Sequence, residues 1–111
     1  MSLSTHILDQ GAGRPAAGVE VLLSQLTDRG IVQIGLGRTD DDGRIGDFGL
    51  EGPMIAGAYQ LDFDTGSYFA DRGEASFYPY VSIIFAVTDP SEHYHVPLLL
   101  NRFGYSTYRG S

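Results

Sequence analysis

Three histidines carry most of the chemistry this chain offers, and two of them stand one residue apart in His93-Tyr-His-Val-Pro-Leu-Leu-Leu100. Read with period two, His93, His95, Pro97 and Leu99 share one strand face, while Tyr94, Val96, Leu98 and Leu100 share an apolar one. Imidazoles on the polar face of a strand can serve as general base, general acid or metal ligand, because they change charge near neutral pH. His6 lies in a second alternating stretch, where Ser4, His6 and Leu8 face one way and Leu3, Thr5 and Ile7 the other. Together the three could supply the ligands of a zinc ion, although no carboxylate is fixed nearby in sequence. Singly, such histidines are ordinarily surface or satisfied core residues.

Arg44 follows an acidic turn, Asp40-Asp41-Asp42-Gly43, where the plain reading is a solvated cation paired with those aspartates. The triplet also imitates the start of a calcium loop but lacks the later glutamate. After Phe103-Gly104 the chain resumes as Tyr105-Ser-Thr-Tyr-Arg-Gly-Ser111, which puts an aromatic, a guanidinium and a terminal carboxylate within reach of one another. By default its tyrosines are β-formers on an edge or interface strand.

Composition narrows the reacting groups further. There is no cysteine, and each of the 7 Lys or Arg positions is an arginine, so thiol nucleophiles, cysteine metal sites and lysine Schiff bases are excluded. A formal net charge of -7 with no basic cluster argues against nucleic acid and anionic membranes as partners. No apolar run approaches a membrane span and no leader-like segment precedes Leu3, so a soluble, cytoplasmic protein is expected. At 111 residues the chain is one domain long.

The elements that must position these groups are short strands. Alternation or β-branched runs predict strands over 3–8, 19–26, 31–36, 59–63, 81–87, the His93 stretch and 105–109, with a hairpin turning at Asp28-Arg29-Gly30. Residues 47–57, rich in glycine and containing Pro53, read as loop. Thr65 or Ser67 is the expected cap of one short helix running to about Arg72, with Gly73 as its stop. About seven or eight short strands with almost no helix predict an antiparallel β-sandwich.

The chain also resembles a known family, the 5-hydroxyisourate hydrolases or transthyretin-related proteins. Its ending Tyr108-Arg109-Gly110-Ser111 and His93-x-His95-x-Pro97-Leu98-Leu99 carry the likeness, with Leu3-Ser4-Thr5-His6-Ile7-Leu8-Asp9 and Gly13-Arg14-Pro15-Ala16 at the front. Thr39-x-x-x-Gly43-Arg44 and Phe77-Tyr78-Pro79 extend it through the middle. Asn101-Arg102 departs from it, standing where the family usually has Ser-Pro, which leaves that loop's geometry open.

The resemblance implies an all-β, transthyretin-like (prealbumin-like) antiparallel sandwich of two four-stranded sheets with one short helix, a single domain over 1–111, and a homotetramer with ligand sites in its central channel. It implies hydrolysis of 5-hydroxyisourate to 2-oxo-4-hydroxy-4-carboxy-5-ureidoimidazoline, a step of urate degradation, with neither metal nor cofactor. His6, Arg44 and His95 fall on the family's catalytic positions. Tyr108 and Ser111 fall on its substrate-binding ending, with His93 and Arg109 as neighbours of the site. The alternative is a non-catalytic binding protein: transthyretin uses this fold to carry small aromatic ligands, and it lacks the Tyr-Arg-Gly-Ser ending and the site histidines.

Overall fold

Burial alternates residue by residue along the first strand, β1 (Leu3–Asp9): Leu3, Thr5, Ile7 and Asp9 are buried, while Ser4, His6 and Leu8 remain partly open. That alternation recurs in the computed structural model, which describes residues 3–111. The further strands are β2 (Arg14–Pro15), β3 (Glu20–Thr27), β4 (Gly30–Arg38), β5 (Arg44–Ile45) and β6 (Gly57–Phe63). After helix α1 (Thr65–Asp71) come β7 (Val81–Val87), β8 (Tyr94–Leu100) and β9 (Tyr105–Thr107). That helix is too short to cross a membrane.

The strands form two sheets. One has the order β4-β3-β6-β7, all antiparallel, with the expected hairpin joining β3 to β4. The other runs β2-β1-β8-β9, and β5 also pairs with β1. This second sheet therefore has five strands rather than four, because two-residue pieces occupy successive stretches of the β1 edge that β8 leaves open: β5 opposite Thr5 and His6, β2 opposite Leu8 and Asp9. One pairing also departs from a purely antiparallel sandwich, since β1 and β8 run parallel from Leu3↔Tyr94 to Asp9↔Leu100. Parallel neighbours need a long crossover, and here the whole other sheet supplies it.

Between the sheets lie the apolar faces that the alternation marks out, Ile7, Val96 and Leu98 from one side and Leu23, Leu61 and Phe63 from the other. Each such fully buried side chain contributes about 1.5–3 kcal/mol of transfer free energy. Of the few polar groups inside, Thr5, Asp9 and Thr39 are bonded through their side chains, whereas the Thr65 hydroxyl has no partner among the described residues. Thr5 donates its hydroxyl to the Val96 carbonyl at 2.6 Å. Buried Asp9 accepts from the Tyr68 hydroxyl at 2.8 Å and from the Ala12 N–H at 3.0 Å, which ties α1 to the end of β1. Burial, and after it this bond to the carboxylate, push the Tyr68 phenol up to about 12.

The helix is capped one residue earlier than the hydroxyls suggest. The Asp64 carboxylate accepts the Ser67 N–H at 3.3 Å, while Thr65 is buried as the first helical residue. At the far end Gly73 adopts φ +69°, the left-handed stop expected there. The Asn101-Arg102 departure is accommodated in a tight turn, Asn101 N–H donating to the Gly104 carbonyl at 2.9 Å. The Arg102 guanidinium donates to the Ala75 carbonyl at 2.7 Å and its own carbonyl accepts from Phe77 N–H at 2.9 Å. Tyr78 meets Tyr105 edge-on with ring centroids 5.2 Å apart, so the Phe77-Tyr78-Pro79 segment holds the start of β9.

Candidate active site

The outer face of the five-stranded sheet gathers the chemistry through register alone. In the antiparallel β1–β5 pair His6 stands opposite Arg44, and in the parallel β1–β8 pair Ser4 stands opposite His95. Directly paired residues point to the same side of a sheet, as do residues two apart on one strand. Ser4, His6, Arg44 and His95 therefore share one face, and His93 extends it just before β8 begins. A one-residue slip of β8 would send His95 into the core and Tyr94 out.

Arg44 reaches this face because its turn is fully occupied by its own backbone. The Asp40 carboxylate accepts the N–H groups of Asp42 at 2.9 Å and Arg44 at 3.0 Å. Buried Thr39 anchors the turn's entry, accepting from Val19 N–H at 2.8 Å and donating to the Ala16 carbonyl at 2.7 Å. Gly43 has φ +75°, and a Cβ there would lie 2.5 Å from the Ile7 carbonyl oxygen, so no other residue type lets the turn close onto β1. Among the described residues Arg44 makes no ion pair, contrary to its plain reading as a partner of Asp40 to Asp42.

Ser4 joins two of the histidines. Its Oγ lies 2.8 Å from His95 Nδ1 and 2.9 Å from His93 Nε2. His95 is half-buried, and this burial draws its imidazole below the ordinary 6.5, with the nearby positive charges of Arg44, His6 and His93 adding to the effect. Gly110 closes over the same ring: its N–H donates to the His95 carbonyl at 2.8 Å in an isolated antiparallel bridge. Among the described residues no group of three His, Cys, Asp or Glu side chains is arranged to hold a metal ion, so the three-histidine zinc reading and the calcium-loop reading find no support.

The tail divides around this bridge. The Arg109 guanidinium lies 4.6 Å from the centre of the Tyr94 ring and 3.8 Å from the Glu92 carboxylate, on a residue that alternates with His95 to the other face of β8. Tyr108 is exposed and helps line a groove of about 320 Å³ with Ile83, Phe85, Tyr94 and Val96. Ser111 follows the bridging Gly110 directly. Sequence reasoning missed Ser4 and Gly110 as members of the cluster. The signal was present for Ser4, which alternates in step with His6, but the identity of its cross-strand partners is not a local property.

A two-sheet sandwich with one short helix and a histidine–arginine cluster on an outer sheet face defines a transthyretin-like protein. The thyroxine complex of sea bream transthyretin superposes with a TM-score of 0.91 at 34% identity, covering 99% of this chain and 95% of that one. Klebsiella pneumoniae 5-hydroxyisourate hydrolase gives a TM-score of 0.87 at 40% identity, covering 100% of both chains. In sequence, the 5-hydroxyisourate hydrolase of Salmonella typhimurium is 50% identical over 109 residues, 98% of this chain and 80% of the relative. The sequence profile of the HIUase/Transthyretin family matches residues 3–110, and the chain belongs to that family.

Proposed function

We propose that the chain hydrolyses 5-hydroxyisourate to 2-oxo-4-hydroxy-4-carboxy-5-ureidoimidazoline, in urate degradation. The observation that carries this reading is the register that sets His6 opposite Arg44 and Ser4 opposite His95 on one sheet face. Opening the ring amide needs an activated water, a cation for the oxyanion that forms at the carbonyl, and a proton for the departing ring nitrogen. His95, kept neutral by its surroundings, takes the proton from water, and His6 orients the water or shuttles that proton. Proton transfer of this kind supplies about 10²- to 10⁴-fold. The planar Arg44 fork holds the substrate's oxygens and the developing negative charge. Tyr108 and the Ser111 hydroxyl bind substrate at the edge of the site.

The chemistry requires no metal ion in this scheme, and activity persists in the presence of a chelator. We further propose a cytoplasmic location and a homotetrameric assembly, the assembly supported by exposed apolar side chains such as Ile84, Tyr80 and Tyr105 that it would cover. Light scattering tests the assembly. The deciding experiment for function is the ultraviolet absorbance of freshly generated 5-hydroxyisourate, which the protein should deplete well above the spontaneous rate. The close likeness to a thyroxine-bound transthyretin favours one second reading, a carrier of small aromatic ligands. Saturable ligand binding with no change in the decay rate would establish that instead.

A further inference from the structure

Among the described residues the Ser4 hydroxyl is the side-chain group within hydrogen-bond distance of both His93 and His95, and it has a single proton to give. Its contact with His95 is to Nδ1, at 2.8 Å, so the ring nitrogen left to meet a water is Nε2. A neutral imidazole whose Nε2 carries the lone pair must hold its proton on Nδ1 and donate it, here to Ser4 Oγ. Ser4 then has its own proton to donate, and among the described residues its other partner is His93 Nε2 at 2.9 Å. His93 in turn must keep its proton on Nδ1. One arrangement of protons satisfies all three groups with His95 Nε2 basic.

We propose that Ser4 is a positioning residue for the hydrolysis, fixing the Nδ1–H tautomer of His95 and carrying charge from His95 to His93. This rests on the proposed hydrolase reading, with His95 as the base. When Nε2 takes a proton from water, the Nδ1 proton passes to Ser4 Oγ as the Ser4 proton passes to His93 Nε2. The N–H bond lost at Nδ1 is replaced by one at His93, the hydroxyl is regenerated, and the hydroxide attacks the carbonyl carbon. The positive charge thereby leaves a half-buried ring that faces Arg44 from β5 and His6 from β1. It arrives on His93, which is exposed to water. The reverse shift restores the starting state as His95 Nε2 gives its proton to the departing ring nitrogen.

The experiment compares the parent with Ser4→Ala and Ser4→Thr, measuring kcat and KM for 5-hydroxyisourate and the ¹⁵N spectra of the histidine rings without substrate. In the parent both His93 and His95 should be Nδ1–H tautomers. Ser4→Ala should release His95 to a tautomer mixture and lower kcat by about ten- to a hundredfold, the scale of impaired acid–base catalysis, with KM within about twofold. Ser4→Thr keeps the hydroxyl on a residue that suits a strand, and should restore both tautomer and rate. Full kcat in Ser4→Ala overturns the proposal, as does an Nε2–H tautomer for His95 in the parent. So does a Ser4→Thr variant as slow as Ser4→Ala. If the parent itself leaves 5-hydroxyisourate untouched, the hydrolase reading fails, while the ring spectra still decide whether Ser4 sets the tautomer.

Discussion

Gly110 lies against the imidazole of His95 so closely that the position a Cβ would take overlaps ring atom Cδ2 and falls 3.2 Å from Cγ. The same glycine is bonded through its N–H to the His95 carbonyl, so it cannot simply withdraw. It acts as a wall behind the ring and holds Nδ1 toward Ser4.

Gly110→Ala should therefore move the His95 ring, break its 2.8 Å contact with Ser4 and lower kcat/KM by about tenfold or more, a partial loss of acid–base catalysis. The substitution lies in an exposed tail segment, so the melting temperature should stay within a few degrees of the parent's. Assay and melt on one preparation check it, and a parent-like rate would mean that the ring has room to spare.

His6→Asn and His95→Asn should each lower the hydrolysis rate by roughly two orders of magnitude or more, the usual cost of losing an acid–base group. Both side chains sit on the open face of their sheet, so circular dichroism should be unchanged. Near-parental activity in both variants would remove the assignment.

Arg44→Lys separates a positioned fork from a surface charge. Lysine keeps the charge but replaces two parallel N–H donors with a flexible point, which should cut kcat/KM by about ten- to a thousandfold. Stability should barely change, because the turn is held by the Asp40 carboxylate and by Gly43 rather than by the guanidinium. A variant as active as the parent would reduce Arg44 to a surface cation.

The pH dependence of kcat/KM has a definite sign. His95 must be neutral to accept a proton, so activity falls on acidification as the ring protonates. Burial, then Arg44, His6 and His93, disfavour the protonated ring, which places the midpoint of this acid limb below the 6.5 of an unperturbed imidazole. A rate profile with its midpoint at or above that value would contradict the geometry.

Tyr68→Phe probes the scaffold instead of the chemistry. It leaves the buried Asp9 oxygen without its hydroxyl donor, for a cost of about 1–3 kcal/mol in urea unfolding near neutrality. The phenol's pKa is raised on folding, so the neutral group's contribution is complete below 10.0 and lost as pH rises toward about 12. The parent should lose stability across that window, and the variant should lose less.

What was legible in the sequence was whatever depends on near neighbours. Alternation alone set which face of Leu3 to Leu8 is buried, and the β-branched run from Val81 to Val87 coincides with β7. The acidic turn delivering Arg44 was readable because Gly43 is a local requirement. The pairing of β1 with β8 was not, since nothing in either strand states a parallel register with a partner some ninety residues away. That register decides that Ser4 meets His95, so Ser4 went unnoticed beside His6. Arg109 illustrates a second limit: an irregular tail does not keep strict alternation, so spacing alone did not give the placement of its guanidinium over Tyr94, in the groove that His95 also lines. At the helix start, Asp64 prevailed over Thr65 and Ser67 because its carboxylate stands three residues ahead of an unpaired N–H.

The parallel pairing of β1 with β8 also bears on how the molecule reaches its native state. Ser4 and His95 are 91 residues apart, and Arg44 must dock against His6 on the same strand as Ser4. Closing so long a loop costs chain entropy that local hairpins such as β3–β4 do not incur, and folding rates fall as contacts become less local. The four-stranded sheet, built of consecutive strands apart from the β3–β6 pair, can assemble first, while β1, β5 and β8 come together last. Refolding followed by backbone signal should thus run ahead of the recovery of activity, and chains interrupted in mid-fold would carry ordered strands without a site.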